Sequence, residues 1–391
     1  MSDDATKRVG LATIAREWGR IGRTGFGGPP THIALLRTLC VEQRGWLSDR
    51  EFEAGVVATN LLPGPASTQL AIFCAWRLRG TLGAILGGVC FIVPGLVIIL
   101  ALSALFLVAH PPVWVEGAAA GAGAAVPAVA VQAATGLMPA SWRRADKGAP
   151  ARTRWCLYLG AGAAAAATVG PYLVLVLLSC GLIEVIEHLR THPRSSQPPT
   201  ALVTALAVPA VTIGGLGAVA WVAFKVGALS YGGGFVIVPL MQHDAVMTYH
   251  WMTNTQFVGA VALGQVTPGP VVQTVAVVGY AAAGLGGGVL AAAIAFAPSF
   301  AFVIVGAPRF ERLRSSHVAR GFLVGAGPAA IGAIAGSAIP LSLGLRHLWQ
   351  LAALALAAIW LLGLRKGVIA ALVGSGVLGV IVALAGAPMS L

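Results

Sequence analysis

Leu61-Leu62-Pro63-Gly64-Pro65 is followed 205 residues later (268 − 63) by Val266-Thr267-Pro268-Gly269-Pro270. The same interval of 205 separates Phe26-Gly27-Gly28 from Tyr231-Gly232-Gly233, Trp46 from Trp251 and Phe52 from Phe257. Four unrelated signatures at one spacing mark an internal duplication. Each Pro-Gly-Pro interrupts an apolar stretch, and duplicated halves with interrupted apolar segments are the pattern of a membrane transporter.

Composition points to the same solvent. Hydrophobic residues make up 57% of the 391, charged residues 10%, and the mean hydropathy is +0.85. Soluble domains carry about a quarter charged residues, so a lipid bilayer is the expected partner. Apolar runs such as 82–109 and 113–140 exceed the length of about 20 residues that spans a bilayer. The net charge of +12 (25 basic minus 13 acidic) does not indicate nucleic acid, because the basic residues form short clusters between apolar runs without aromatic interleaving. Cysteines 40, 74, 90, 156 and 180 lack metal or disulfide spacing, and no cofactor is expected. No removed signal peptide is expected either. Arginine outnumbers lysine 21 to 4, which fits a GC-rich bacterial genome, and a bacterial inner membrane is the expected location.

The apolar elements of the first half are 11–36, 54–75, 82–109, 113–140 and 155–187, the last either one span or a hairpin bent at Gly170-Pro171. Adding the interval gives 216–241, 257–280, 287–307 and 318–343, with 347–364 and 367–388 as a tail. The polar stretch 188–200 separates a first repeat, 1–197, from a second, 198–391. Loop charges give orientation. The 142–154 loop is basic and the turn at 110–112 is not, whereas in the second half the 309–320 loop is basic and the turn near Gly284 is uncharged. Basic loops favour the cytoplasm, so equivalent helices should cross in opposite directions. The expected fold is all-α and polytopic, two inverted-topology repeats of roughly five or six spans each, with helices broken at Pro-Gly-Pro.

Ser48 with Glu51 and Thr253 with Gln256 fit the capping box that satisfies the orphan amides of a helix start. Prolines 63 and 65 then remove the amides that would continue the helix. If it restarts at Pro65, the amides of Ala66, Ser67 and Thr68 point unpaired into the break, as would those of Val271, Val272 and Gln273. Such backbone at membrane depth is tolerated only where it is buried in protein or lines a watery cavity. A helix amino terminus suits an anion, and Thr68-Gln69 and Gln273-Thr274 add polar side chains to the first turn. A structural kink would explain one such motif; two with polar first turns favour a site.

Arg20 and Lys225 are also 205 apart, each two helical turns before Gly27 or Gly232. The glycines, with Gly28 and Gly233, permit close backbone approach. Ionisable residues at membrane depth mark substrate paths by default, although Arg20 is near enough to the amino terminus to snorkel to the headgroups. His32 reads more readily as a packed residue than as a ligand. Glycines 83, 87, 88, 284, 286, 287 and 288 read as close helix packing.

The ordered set Phe26-Gly27-Gly28-Pro29, Arg44-Gly45-Trp46-Leu47-Ser48, Leu61 to Pro65 and Gln69-Leu70 resembles the chromate ion transporter family in its long, two-domain form. In the second half Phe224-Lys225, Tyr231-Gly232-Gly233, Trp251-Met252-Thr253 and Thr267 to Pro270 carry it. The resemblance implies a secondary transporter that exports chromate, conferring resistance, with sulfate as a chemical mimic and protons as candidate coupling ion. The chain departs from the family pattern at Ala66 and Gly264-Gln265, where acidic residues are common. The expected substrate site comprises Arg20, Gly27, Gly28, Pro63, Gly64, Pro65, Ser67, Thr68, Gln69, Lys225, Gly232, Gly233, Pro268, Gly269, Pro270, Gln273 and Thr274. Its ligand is a chromate- or sulfate-like oxyanion, and a homodimer is the candidate assembly. An importer of sulfate or another oxyanion would use the same architecture. A membrane enzyme would need a catalytic cluster at membrane depth, which the sequence does not offer. No GxxxxGK[ST] loop for ATP is present.

Overall fold

A computed structural model of the chain describes residues 9–60, 62–108, 110–145, 148–168, 173–191, 215–230, 235–306 and 317–387. Among them the regular structure is helical throughout. The first half contains α1 (Leu11–Thr24), α2 (Pro29–Arg37), α3 (Asp49–Thr59), α4 (Ala66–Phe106), α5 (Val113–Arg144), α6 (Ala149–Thr168) and α7 (Leu173–Thr191). The second contains α8 (Gly215–Leu229), α9 (Val238–Gln242), α10 (Asn254–Val266), α11 (Thr274–Gly306), α12 (His317–Leu343), α13 (Leu348–Ala358) and α14 (Val368–Leu384). The chain is an all-α polytopic membrane protein. Exposed Leu82, Ile85, Val89, Val93 and Val97 recur every three to four residues along α4, a stripe that suits lipid.

The short helices do not span; they fold back in pairs. α1 and α3 have 14 and 11 residues, or about 21 and 16 Å at 1.5 Å per residue, well short of a 30 Å hydrocarbon core. Glu51 at the start of α3 pairs with Arg77, late in the first arm of α4, and a methyl at Gly55 would strike Phe73. Those contacts close only if α3 and the first arm lie side by side with Pro-Gly-Pro at the tip. The 54–75 element is therefore a re-entrant hairpin rather than one broken span. α10 and α11 repeat it, because Gly264 lies against Thr274 across the second Pro-Gly-Pro. Capping boxes start α3 and α10, as Ser48 and Thr253 accept from the amides of Glu51 and Gln256 at 3.2 and 3.1 Å.

The 11–36 element is a hairpin as well. Glu17 on α1 pairs with Arg44 at 3.2 Å, and Trp18 stacks on Trp46 at 6.5 Å, so the chain turns back at Gly25 to Gly28. Its counterpart is α8 and α9, clasped by Lys225 and Asp244. A third reversal bends α4 at Arg79–Gly80 and α11 at Ala283–Gly284, where each glycine has φ near +60° (60° and 62°). Glycine alone adopts that region without strain.

The second arm of α4 and the second arm of α11 run antiparallel. Gly88 lies against Phe300, whereas Gly288, twelve residues before Phe300, lies against Leu100, twelve after Gly88. Equivalent helices of the two halves thus point in opposite directions, as an inverted repeat requires. The halves also exchange partners: α5 of the first packs on α13 and α14 of the second, and α12 of the second packs on α6 and α7. Small residues permit this, with Gly117 and Gly121 against Gly379 and Ser375, and Gly332 against Leu159.

Three expectations need correction or completion. The 155–187 element is two helices, α6 and α7, folded together by a two-pronged Arg154–Glu184 pair with both bonds at 3.0 Å. The interval of 205 drops to 204 just beyond Pro270, so that Gly80 matches Gly284, Pro94 matches Pro298 and Gln69 matches Gln273. A 3₁₀ turn at Val271–Gln273 replaces the opening α-turn of α4 and absorbs the missing residue. Among the glycines, 83, 87, 88, 287 and 288 pack closely, but Gly284 serves the turn and Gly286 faces open space. The proposed boundary between the repeats, at 197/198, lies outside the described residues.

Candidate functional site

The hairpin tips of the two halves meet. The Gly64 amide donates to the Ser230 carbonyl at 2.5 Å, and the Gly269 amide donates to the Gly25 carbonyl at 3.1 Å. Both members of each pair move by 205 between halves, so the contacts are related by the pseudo-two-fold of the duplication. Gly95 packs against Pro268 and Gln273, and Ser299, its counterpart at 204, packs against Gly64. Gly95 is near the middle of the 81–106 arm, so four tips converge at mid-membrane depth. Gly64 and Gly269 have φ of +120° and +105°, which lets the chain reverse while aiming its amide across the repeat boundary.

Several expected groups gather there. Ser67, Thr68, Gln69, Gln273 and Thr274 are all buried in the first turns beyond the breaks. Gln69 Nε2 donates to the Pro63 carbonyl at 2.6 Å, and Gln273 Nε2 donates to the Ile92 carbonyl at 2.8 Å. Each glutamine thus gives one amide N–H to the backbone and keeps its Oε1 unpaired. Among the described residues seven buried side-chain polar atoms lack a partner, and six are at or beside the tips: Thr68 Oγ1, Gln69 Oε1, Ser230 Oγ, Gln265 Nε2, Gln273 Oε1 and Ser299 Oγ. Each such atom costs about 1–3 kcal/mol unless something polar meets it. Six of the seven cluster at the tips, where the two halves meet.

The backbone is less open than the sequence suggested. Thr68 and Gln273 donate their amides to Pro65 and Pro270 at 3.0 and 2.9 Å, which leaves Ala66 and Ser67, and Val271 and Val272, as the amides without backbone acceptors among the described residues. Ser67 and Thr274 hydroxyls are also committed, to His32 Nδ1 at 3.3 Å and the Val271 carbonyl at 2.8 Å. His32 Nε2 donates to Gly25 O at 2.8 Å, so its Nδ1 accepts from Ser67 and the ring is a packed, satisfied one.

Neither cation stands alone. Arg20 is 46% exposed and turns toward Glu17 at 3.0 Å, away from the tips; the shared acid also holds Arg44. Lys225 is mostly buried and pairs with Asp244 at 2.6 Å, with its ammonium 5.6 Å from the Trp221 ring. Gly27 is exposed and Gly28 half-buried at the first tip, with φ of +102° and +73°. Gly232 and Gly233 lie outside the described residues. The two breaks differ in access: Pro63 is exposed and Gly64 lines a cleft, while Pro268, Gly269 and Pro270 are buried.

Sequence reading missed Asp244 and Glu17, the counter-charges, and Ser230, Gln265 and Ser299. Ser230 directly precedes the duplicated Tyr-Gly-Gly and Ser299 follows Pro298, so proximity to a repeated motif was the available signal. Asp244 carried none, because its equivalent at 205 is Leu39.

The family model described as chromate transporter matches residues 12–186 and 217–380, both copies of this arrangement. The chain belongs to the chromate transporter family. A chromate transport protein of Cupriavidus metallidurans is 32% identical over 334 residues, covering 83% of this chain and 80% of that relative. A probable chromate transport protein of Synechococcus elongatus is 29% identical, covering 85% and 84%, and a chromate transport protein of Pseudomonas aeruginosa is 28% identical, covering 83% and 79%. No solved structure matches the chain.

Proposed function

We propose that the chain is a secondary active transporter, not an enzyme, that carries chromate outward across the inner membrane by alternating access, with protons as the coupling ion. The reading rests on one observation, the four unpaired donors (the Thr68, Ser230 and Ser299 hydroxyls and Gln265 Nε2) at the crossing of inverted hairpin tips. A tetrahedral dianion brings oxygens that accept from the Ala66, Ser67, Val271 and Val272 amides, from the Thr68, Ser230 and Ser299 hydroxyls and from Gln265. Two helix starts add their positive dipole ends. Lys225 supplies charge through its pair with Asp244, so a proton reaching Asp244 would release the lysine toward the anion. The inverted repeat supports alternation, because rocking one set of hairpins against the other exchanges which side reaches the tips.

Labelled chromate and sulfate uptake into inverted vesicles, with and without a pH gradient, tests this. Uptake of chromate that the gradient drives and sulfate inhibits is expected. Accumulation only in right-side-out vesicles would make the chain an oxyanion importer, and no flux in either orientation would overturn transport of these anions.

A further inference from the structure

The Gly64 tip lines a cleft whose other walls are the end of α5 and the middle of α12. Thr59 and Asn60 line it on the tip side, and Ser141 and Arg144 on the α5 side. Arg144 is the one charged residue on its wall and forms no ion pair among the described residues. Among the described residues no acid lines the cleft. The end of α5 is held in place from outside, since Trp155 Nε1 donates to Ser141 Oγ at 3.0 Å, Trp142 packs edge-on against Trp155, and Arg152 lies over Trp142. Ser141 accepts that bond and keeps its own proton to give. The remaining wall is apolar, with Ala330, Ile331 and Ile334, so field lines from the guanidinium are concentrated along the opening.

The duplication supplies an internal control. Pro127 and Pro139 of α5 recur as Pro328 and Pro340 of α12, each 201 apart, so Ser141 corresponds to Ser342 and Arg144 to Leu345. The serine is retained, whereas leucine takes the place of Arg144, with Arg346 one residue further on. A cation on the wall of the Gly64 cleft gives that entrance an electrical polarity.

We propose that Arg144 and Ser141 form a capture site for a tetrahedral dianion at the mouth of this cleft, from which the anion passes by Asn60 to the Gly64 tip. The proposal rests on the transport reading above and adds the residue that selects for charge. Guanidinium forks match the paired oxygens of such an anion, and the site loads the pathway from the side on which the basic 142–154 loop lies.

Two measurements test it. In vesicles, Arg144→Gln should raise the KM for chromate about tenfold while kcat changes less than about twofold, and Arg144→Lys, which restores the charge without the fork, should recover only part of the loss. Independently of transport, an Asn60→Cys variant in a Cys156→Ser background is labelled with anionic sulfonatoethyl and cationic trimethylammonioethyl methanethiosulfonates. The anionic-to-cationic rate ratio should fall about tenfold on adding Arg144→Gln, and sulfate should slow labelling only when Arg144 is present. An unchanged KM, or an unchanged ratio without sulfate protection, would overturn the capture site. A parent protein that carries no oxyanion, yet shows the Arg144-dependent ratio and protection, would sink the transport reading and leave the anion site standing.

Discussion

The Gly64 amide donates across the repeat boundary to the Ser230 carbonyl at 2.5 Å, and the symmetry-related Gly269 returns the bond to Gly25 at 3.1 Å. Each half therefore completes the other's tip. An unmatched amide at membrane depth costs several kcal/mol, so these reciprocal bonds hold the four tips in register and neither half closes its site alone.

Glycine at the tips is a conformational requirement that a methyl should expose. At Gly64 φ is +120° and an added Cβ would meet Gln69 Nε2, whereas Gly80 has φ of +60° and open space around it. Gly80→Ala should cost only the backbone term, about 1–3 kcal/mol, and Gly64→Ala a similar term plus the displaced Gln69. Thermal melts in detergent should rank them in that order, and chromate uptake should collapse only in Gly64→Ala. Equal melting points would remove the tip geometry from the argument.

Lys225 and Asp244 should fail singly and recover together in folding. Removing one partner of a buried pair costs about 3–5 kcal/mol because the other charge is stranded. Lys225→Met should therefore lower the yield of monodisperse protein, and Lys225→Met with Asp244→Asn should restore it. Restored yield without chromate uptake would assign Lys225 to transport; restored uptake would make the pair structural.

The unpaired hydroxyls should trade stability for activity. Thr68→Val and Ser299→Ala remove groups that have no partner among the described residues, so the melting temperature should stay level or rise. Uptake should fall about tenfold, the loss of one charge-assisted hydrogen bond. A drop in melting temperature with normal uptake would show these groups to be ordinary packing.

Acid should loosen the open end of the first-half Pro-Gly-Pro hairpin. Burial pushes the Glu51 carboxyl up, but the Ser48 amide and hydroxyl and the Arg77 guanidinium outweigh it and hold Glu51 below the usual carboxylate range. A depressed folded pKa gives stability that is complete above the unfolded value and is lost as pH falls through the folded one. Glu51→Gln should cost no more than about 1 kcal/mol at pH 7, since both partners are partly exposed. The gap between variant and parent melts should narrow as pH falls below the ordinary carboxylate range and vanish once Glu51 is protonated in the folded state; a constant gap would mean that Glu51 acts without its charge.

Much of this arrangement was legible because duplication is a statistical signal that survives without contacts. The interval of 205 paired the motifs up to Pro270, and the capping boxes at Ser48 and Thr253 marked where helices begin. The reversal at Pro63 to Pro65 was not legible. A helix that stops and restarts reads the same whether the second arm continues or folds back, and distant contacts such as Glu51–Arg77 and Gly55–Phe73 decide it. Arg20 failed for a related reason: spacing places it on the face of Gly27, but Glu17 one turn earlier on the same helix draws the side chain away. Charge partners separated by many residues, such as Lys225 and Asp244, leave no periodic trace.

The central claim, that an oxyanion lodges where inverted tips cross, is tested most directly by chromium anomalous scattering from crystals of the protein grown with chromate. The account predicts a chromium peak within hydrogen-bonding reach of the Ala66 and Ser67 amides and of Thr68 and Ser230. Chromium found elsewhere, with those amides packed only against side chains, would contradict it.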